Sequence, residues 1–374
     1  MAGATLTVSF PSTGRVVSTL KSSAAERSDE APDELVRLRE WGTDNTFALP
    51  RDGGPFTAGA SEQNALCIDD ADHKISRRHL ELWRDGATWF ARDLGSSNGT
   101  LFDGVPRTRS ALDDGMQIQL GGLTLVAESP RQRALRLLVA RTLGYGPAMM
   151  VTVDRALHAL RELRRCRTPL RLCGRGNIVW IARALTERCV PGAPFVVCDP
   201  RREEHGDEST RSAETVPTAA EALALAPNGT ICAWADRLPR DWPALDAITP
   251  PIPRLVLCAR SVSAFKPFTR SAIEFPPLQT RMDELPRLIA ELADDAATTL
   301  AVSPDDLTPS DREWVVAHET ADLATLDKAI RRLMVLHDAG STSGAAARLG
   351  LTRSSLRDWL LTGGRNARKG GAIS

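Results

Sequence analysis

The chain has 374 residues, of which 42% are hydrophobic and 25% are charged, a composition typical of a soluble globular protein with two or three domains. Its 47 basic residues balance its 47 acidic residues, so no global field attracts the chain to nucleic acid or to a membrane. No apolar run reaches the roughly 18 residues of a membrane span and no signal-peptide core is present, which predicts a cytoplasmic protein without a membrane partner. The seven cysteines lack the paired spacing of a zinc site, so we expect reduced thiols and no metal.

The first third of the chain predicts an arm followed by a β-domain. Residues 1–32 are rich in Ser, Ala and Thr without periodicity, which indicates a flexible arm. Between residues 33 and 129, short alternating segments such as "HLELWRD" and "ATWFARDL" are separated by Gly, Asp and Asn at intervals of about eight to twelve residues. This spacing predicts an all-β sandwich.

The remaining chain predicts helices around a parallel sheet. Residues 130–167 form a predicted basic helical linker. From 168 to 310, the apolar segments "PLRLC", "PFVVC", "GTICAW" and "RLVLC" alternate with helical segments, as in a parallel sheet covered on both faces. Residues 311–363 are predicted to be helical, with helical structure over 311–338 that includes the amphipathic segment "LATLDKAIRRLMVLHDAG", and then two short helices across a tight turn. Residues 364–374 form a predicted basic tail.

Two polar motifs stand beside strands of the predicted sandwich, "SRRH" at 76–79 and "SSNGT" at 96–100. With "FTAGASEQN" upstream and "LDDGMQIQLGG" downstream, they resemble the forkhead-associated (FHA) domain over about residues 33–128. The resemblance implies loops that bind phosphothreonine peptides, since a dianionic phosphate needs a guanidinium, hydroxyls and amide donors.

The same resemblance implies a role for each residue of these loops. Ser76 and Arg77 would contact the phosphate, Ser97 would line its pocket, and Asn98 would hold the peptide backbone. Three further residues would be structural in this site, His79 by bracing the loop and the glycines by allowing close packing and a turn: Gly59, His79 and Gly99.

One position departs from the family pattern. The family has Gly-Arg where this chain has Gly59 and Ala60, and the missing arginine supports the phosphate site. Losing one charge-assisted hydrogen bond costs about 1.5–3 kcal/mol, or roughly ten- to a hundredfold in affinity. Lys74 or Arg78 would have to replace the lost charge. The alternative is a sandwich that docks a partner by shape and recognises no phosphate.

Residues 168–310 resemble, through the order of their segments, the AAA+ domain of sigma-54-dependent activators, and "FPPLQTRMDELPRLIAELA" is the most distinctive segment. The resemblance places ATP chemistry at "GRGNIVW" and "CAWAD", but apolar residues replace the chemical ones. Ile178 and Val179 stand at the phosphate-binding lysine and its neighbour, and Trp234 and Ala235 stand at the Walker B acids. We therefore predict a degenerate AAA+ domain with no catalytic residues, no ATP hydrolysis and no cofactor. A shifted loop that uses Arg175 as its cation is the competing interpretation.

The segment "AAARLGLTRSSLRDWL" resembles the Fis-type helix-turn-helix that closes sigma-54-dependent activators. In that geometry Thr352 caps the second helix, whose first turns enter the major groove of DNA. The candidate DNA-binding residues lie at the start of this helix: Thr352, Arg353, Ser354, Ser355 and Arg357. The alternative is a helical hairpin that serves dimerisation alone.

Together these patterns predict a multidomain, non-enzymatic regulator. The leading hypothesis is a bacterial DNA-binding transcriptional regulator with an FHA input domain and a degenerate AAA+ core. Its partners would be a phosphothreonine-containing protein from a Ser/Thr kinase pathway, double-stranded DNA and a second copy, with helix 322–338 forming a two-fold interface. The alternative is a phosphoprotein-binding signalling adaptor that does not bind DNA. An active ATPase is disfavoured by Ile178 and Trp234.

Overall fold

The computed structural model describes residues 5–7, 33–70, 72–165, 168–201, 214–246, 253–266 and 272–362. The predicted basic tail and most of the predicted arm lie outside these residues. Within the arm, a short strand at 5–7 is described. The chain divides into two compact units, residues 1–140 with 146–158 and residues 141–145 with 159–374.

The first unit contains an all-β sandwich of two six-stranded sheets, as the sequence predicts. In chain order its strands are β1 (Thr5–Thr7), β2 (Arg37–Glu40), β3 (Thr46–Ala48), β4 (Phe56–Gly59), β5 (Leu66–Asp69), β6 (Leu80–Asp85), β7 (Thr88–Asp93), β8 (Thr100–Phe102), β9 (Val105–Pro106), β10 (Arg109–Ala111), β11 (Gln117–Leu120) and β12 (Leu123–Glu128). One sheet has the order β1-β5-β4-β6-β7-β10 and the other has the order β3-β2-β12-β11-β8-β9. Neighbouring strands are antiparallel except β4 and β5.

Alternation along the strands builds the core of the sandwich. In β6, Leu80 and Leu82 are fully buried, whereas Glu81 and Trp83 between and after them lie on the outer face. The largest buried side chains of this core come from both sheets: Leu38, Leu66, Ile68, Leu80, Leu82, Trp89, Phe102, Ile118, Leu120 and Leu125. The rigid sandwich holds the loops at its ends in place.

Two helices follow the sandwich, α1 (Pro130–Leu143) and α2 (Met150–Arg164). The predicted helical segment 130–167 is therefore interrupted, because "GYGP" at 144–147 ends the first helix.

The second unit contains the predicted α/β region, a six-stranded parallel sheet. Its strands are β13 (Leu170–Gly174), β14 (Phe195–Cys198), β15 (Glu214–Val216), β16 (Thr230–Trp234), β17 (Arg254–Ala259) and β18 (Ala272–Phe275), in the spatial order β15-β14-β16-β17-β13-β18. The accompanying helices are α3 (Ile178–Cys189), α4 (Ala219–Leu225) and α5 (Pro243–Asp246). The sequence predicts four of these strands. Strand β15 is short and largely polar, and Glu274 interrupts the apolar residues of β18, so neither forms a continuous apolar run.

Five helices complete the second unit, α6 (Leu285–Leu300), α7 (Pro309–His318), α8 (Leu323–Ala339), α9 (Thr342–Arg348) and α10 (Arg353–Thr362). The predicted helical region 311–338 consists of two helices, because α7 ends before a turn at 319–322 and Asp322 caps α8, which corresponds to the predicted helix 322–338. The apolar face of α8, with Leu326, Ile330 and Leu333, is fully buried within the chain, so the predicted two-fold interface on this helix would have to use its other face. None of the described helices is long and apolar enough to cross a membrane.

Candidate functional site

The loop that carries the "SRRH" motif is fastened to strand β4 by backbone hydrogen bonds. The His79 amide donates to the Ala58 carbonyl over 2.9 Å, and the amides of Ala60 and Ser61 donate to the carbonyls of Ser76 and Arg77, each over 3.0 Å. These bonds draw position 60 directly beside the loop.

Gly59 makes this close approach possible. A Cβ atom at position 59 would lie 2.6 Å from the Arg77 carbonyl oxygen and 2.7 Å from that of Ser76, so the backbone of the loop would have to shift to admit it. The structural role predicted for Gly59 therefore follows from contact distance, because any side chain would push the loop that carries "SRRH" away from the strand.

The buried ring of His79 forms hydrogen bonds with both motif loops. Its ring is fully buried, its Nδ1 accepts a hydrogen bond from the Ser76 amide over 3.1 Å, and its Nε2 lies 3.3 Å from the Gly99 carbonyl oxygen. Because Nδ1 is an acceptor, the neutral ring carries its proton on Nε2 and donates to Gly99. Burial lowers the pKa of His79, which favours this neutral form although the Gly99 carbonyl and Asp93 act in the opposite direction.

Hydroxyl and amide groups connect the two loops at the surface. Ser76 Oγ accepts a hydrogen bond from the Ser97 amide over 3.0 Å and lies 3.5 Å from Ser97 Oγ. The Asn98 side-chain amide donates to the Lys74 carbonyl over 2.8 Å, so one of its donors is already used within the protein. Gly99 has a φ of +72°, the left-handed conformation expected of the turn residue. The predicted residues of both motifs thus lie in one site.

Positive charge faces solvent at this site. The side chains of Arg77 and Arg78 are exposed, and among the described residues no carboxylate pairs with either of them. Lys74 is exposed and forms a surface ion pair with Asp72 at 3.2 Å. Ala60 is half-buried and offers no charge, so these three side chains are the cations of the loop.

Asn64 contributes to the site without having been predicted. It is buried, and its side-chain amide donates to the Arg77 carbonyl over 2.6 Å and to the Ser61 carbonyl over 2.8 Å. The only sequence signal is a polar residue just before the apolar segment "ALCI". This bond holds the main chain of the arginine whose side chain faces solvent.

Asp93, which ends β7, organises the second loop and was also missed. Its carboxylate accepts hydrogen bonds from the Gly95 and Ser96 amides over 2.8 and 2.7 Å, and from the Ser96 and Thr100 hydroxyls over 2.6 Å each. Burial alone would raise the pKa of Asp93, but these donated bonds outweigh burial and lower it. In the sequence, the position of Asp93 directly before "LGSSNGT" is the feature that could have identified it.

The groups exposed at this end of the sandwich are mainly hydrogen-bond donors. They include hydroxyls, backbone amides and guanidinium groups, the donors that recognise phosphate. In the described part of the chain, no group of three or more His, Cys, Asp or Glu side chains is arranged to hold a metal ion.

In the second unit, the positions assigned to ATP chemistry carry apolar side chains. Ile178 and Val179, in the first turn of α3, are 0% and 2% exposed. Trp234 ends β16 and Ala235 follows it. Arg175 is exposed on the loop between β13 and α3.

The last two described helices, α9 and α10, follow each other across a short turn. Thr352 Oγ1 accepts a hydrogen bond from the Ser355 amide over 3.1 Å, so Thr352 caps α10 as predicted. The five predicted DNA-binding residues are all exposed: Thr352, Arg353, Ser354, Ser355 and Arg357. Arg357 lies 3.6 Å from the carboxylate of Asp358, which partly offsets its charge.

Comparison with known proteins places the two motif loops inside a recognised domain. The family described as FHA domain matches residues 56–121. An oxoglutarate dehydrogenase inhibitor of Corynebacterium diphtheriae is 37% identical over 76 residues, which are 20% of this chain and 52% of that protein. The protein of the same name from Corynebacterium glutamicum is 31% identical over 105 residues, which are 28% of this chain and 71% of that protein. This chain spans about half the length of the first curated relatives it matches, 52% and 46%.

One solved structure, described as a structural and functional analysis of phosphothreonine-dependent FHA domain interactions, is 30% identical to this chain. It covers 25% of this chain and 93% of its own, with a TM-score of 0.23.

Proposed function

This chain belongs to the family of FHA-domain proteins, and from that premise we propose that it is a signalling adaptor that binds a phosphothreonine-containing protein. The observation that carries the proposal is that the two loops are hydrogen-bonded to each other. The Ser97 amide donates to Ser76 Oγ over 3.0 Å, and the buried His79 ring forms hydrogen bonds with both loops. Such a rigid cluster of donors is preorganised for a phosphate group, because little ordering remains to be done on binding.

Each loop residue then has a place in binding. Arg77 and Ser76 would contact the phosphate, Ser97 would contribute its hydroxyl, and Asn98 would use its second N–H for the peptide backbone. The charge missing at Ala60 would be supplied by Lys74 or Arg78, which share the loop and are exposed.

The relatives agree with a role in binding another protein. The Corynebacterium proteins are named inhibitors of oxoglutarate dehydrogenase, a name that describes action on an enzyme. For this chain we propose the same general kind of action, regulation through contact with a partner protein, and the phosphothreonine would be the mark that selects that partner.

The test is binding of the full chain to an oriented library of phosphothreonine peptides, followed by fluorescence anisotropy with the selected peptide. We expect Arg77→Ala to weaken binding about tenfold or more, since a charge-assisted hydrogen bond is lost. Arg84→Ala is the matched control, because Arg84 lies near the far end of β6 and pairs with Glu34 at 2.7 Å. Equal affinity for the unphosphorylated peptide would show a module that docks by shape and would refute the proposal.

A second candidate function is DNA-binding transcriptional regulation. It is favoured by the two helices across a tight turn, with Arg353 and Arg357 exposed on the capped helix α10. We propose in this case a degenerate AAA+ domain over 168–310 and a Fis-type helix-turn-helix within 311–363, acting as a homodimer or higher oligomer without ATP hydrolysis. Buried Ile178 at the lysine position supports the absence of hydrolysis.

Selection of bound fragments from a random pool of double-stranded DNA tests this second candidate. We expect an inverted repeat that the double variant Arg353→Ala/Arg357→Ala no longer enriches. Absence of enrichment at low salt, where even non-specific binding is strong, would leave the adaptor as the single proposed function.

A further inference from the structure

The loop at the start of α3 holds a carboxylate of the protein itself. Asp322 Oδ2 accepts a hydrogen bond from the Asn177 amide over 3.0 Å, although the two residues are 145 positions apart in the chain. Gly176 has a φ of +87°, and a Cβ atom there would lie 2.7 Å from the Asp322 Cβ and 2.8 Å from its Oδ2. The loop is therefore shaped around this carboxylate.

The chemistry of the contact resembles anion binding at a helix N-terminus. Backbone amides after a strand, where a helix begins, carry partial positive charge and hold phosphates in many α/β proteins. Here a backbone amide of this kind, that of Asn177, donates to Asp322. The Asn177 side chain caps α3 by accepting a hydrogen bond from the Trp180 amide over 3.0 Å. Asp322 also lines the cleft between this loop and the segment after β18, together with Arg175 and Phe275.

Asp322 belongs to a turn that holds three parts of the second unit together. Within residues 319–322, the Thr320 and Ala321 carbonyls each accept a hydrogen bond of 2.9 Å from the Gln279 side chain. Glu319 accepts a 2.9 Å bond from the indole N–H of Trp359, which lies in α10. The turn thus contacts the loop before α3, the segment after β18 and the final helix.

Trp359 is well packed where the turn holds it. Its ring lies edge-on to Trp314 with the centroids 5.5 Å apart, and the guanidinium of Arg332 stands 4.9 Å from its centroid. The orientation of α10, and with it the presentation of Arg353 and Arg357, depends on this docking.

We propose that Asp322 is a built-in anion for the loop at 175–177, and that the turn 319–322 thereby fastens α10 to the parallel-sheet region without a nucleotide. In this arrangement the internal carboxylate takes the place that a phosphate would occupy at the loop. Because the contact between Asp322 and the loop needs no ligand, we expect the position of α10 not to respond to ATP. This inference concerns the second unit and does not depend on phosphopeptide binding by the sandwich.

The variant Asp322→Asn tests the contact of Asp322 with Asn177 separately from its role as the cap of α8. Asparagine caps helices as well as aspartate does, so its oxygen can keep the 2.8 Å bond from the Thr325 amide that begins α8. Its NH₂ group would then face the Asn177 amide, donor against donor. Asp241→Asn is the matched control, because Asp241 also uses two carboxylate oxygens, at 3.0 and 2.9 Å, to accept the Ala219 and Ala220 amides at the start of α4.

Hydrogen–deuterium exchange of the full chain measures the effect. We expect Asp322→Asn to speed exchange about tenfold in 175–180 and in 353–362, as loss of one charge-assisted bond predicts. Asp241→Asn should speed exchange only around 219–222. Faster exchange confined to 323–326 in Asp322→Asn would reduce the residue to a helix cap and overturn the proposal.

Two further measurements keep the proposal falsifiable. Gln279→Ala leaves Asp322 intact but removes the other anchor of the turn, so it should also speed exchange in 353–362. Adding Mg²⁺ and ATP to the unaltered chain should leave exchange in 175–189 and 353–362 unchanged. Protection of both segments by ATP would show an open nucleotide site, and the idea of a built-in anion would be wrong.

Discussion

Arg39 and Asp154 form a bidentate ion pair in the interior of the first unit. Nη2 of Arg39 lies 2.5 Å from one carboxylate oxygen of Asp154, and Nη1 lies 3.0 Å from the other. Both side chains are at most 1% exposed, and Arg39 also pairs with Glu128 at 2.6 Å. Since Arg39 lies in β2 and Asp154 in α2, the pair fastens the helix to the sandwich.

Asp154→Ala should destabilise the first unit strongly. Without Asp154, buried Arg39 keeps, among the described residues, only Glu128, which also pairs with Arg37, so the interior carries uncompensated positive charge. Breaking a buried pair in this way costs about 3–5 kcal/mol. Urea denaturation of the full chain would measure the loss in the free energy of unfolding. Asp44→Ala is the control, because Asp44 is 62% exposed and pairs with Arg136 at 2.6 Å; we expect a change below about 1 kcal/mol. Similar small losses in both variants would contradict a role for the interior pair.

Acid should destabilise the first unit, because two of its carboxylates have lowered pKa values. Burial alone would raise the pKa of Glu128, but the charges of Arg39 and Arg37 outweigh burial and lower it. Burial would also raise the pKa of Asp93, but hydrogen bonds, first those from Ser96, lower it.

The sign follows from linkage. A carboxylate whose pKa is lower in the folded chain contributes stability that is fully present above the unfolded pKa, about 4, and is lost as pH falls further through the folded pKa. We expect the urea midpoint to be steady from neutral pH to about pH 5 and to fall below about pH 4. Asp93→Asn should flatten this fall, because residue 93 no longer titrates. An unchanged pH profile in the variant would show that Asp93 has the same pKa in both states.

His79→Ala should weaken phosphothreonine-peptide binding although His79 is fully buried. The substitution removes the acceptor of the Ser76 amide and the donor to the Gly99 carbonyl, so both loops lose their shared support. We expect a loss of about tenfold or more in affinity by fluorescence anisotropy. Ser110→Ala is the control, since its buried hydroxyl bonds away from the two motif loops, to the Ala111 carbonyl at 2.9 Å and to the Met116 sulfur at 4.0 Å. Equal losses in both variants would indicate general destabilisation instead.

The local patterns were sufficient to predict the sandwich and the parallel sheet, since both depend on short-range alternation or apolar runs. They were insufficient where a single polar residue acts over a long distance. Asp322 contacts Asn177, 145 positions away in the chain, and this contact cannot be inferred from the helical periodicity of residues 311–338. Strands such as β18 are recognisable only once neighbouring strands supply their hydrogen bonds.

In the candidate site too, the motif residues could be predicted from the sequence, whereas contacts made by single residues outside the motifs could not. The family resemblance carried by the two motifs implied that Ser76, Ser97 and Asn98 form one cluster. Asn64 and Asp93 were missed because their importance arises from backbone groups that the fold brings to them, among them the Arg77 carbonyl and the Ser96 amide. Buried polar residues beside a motif are therefore worth testing as supports of its loops.

Ala60→Arg should restore the charge that the family pattern places beside the phosphate. The Ala60 amide donates to the Ser76 carbonyl over 3.0 Å, so a side chain at this position starts next to the loop, and Ala60 is only half-buried. One added charge-assisted hydrogen bond predicts about ten- to a hundredfold tighter binding of the phosphothreonine peptide, with little change for the unphosphorylated peptide. Ala60→Met is the control, because methionine adds a long side chain without charge. If both variants bind like the unaltered chain, Lys74 or Arg78 already saturates the phosphate, and Arg78→Ala in the Ala60→Arg background should then cost less affinity than Arg78→Ala alone.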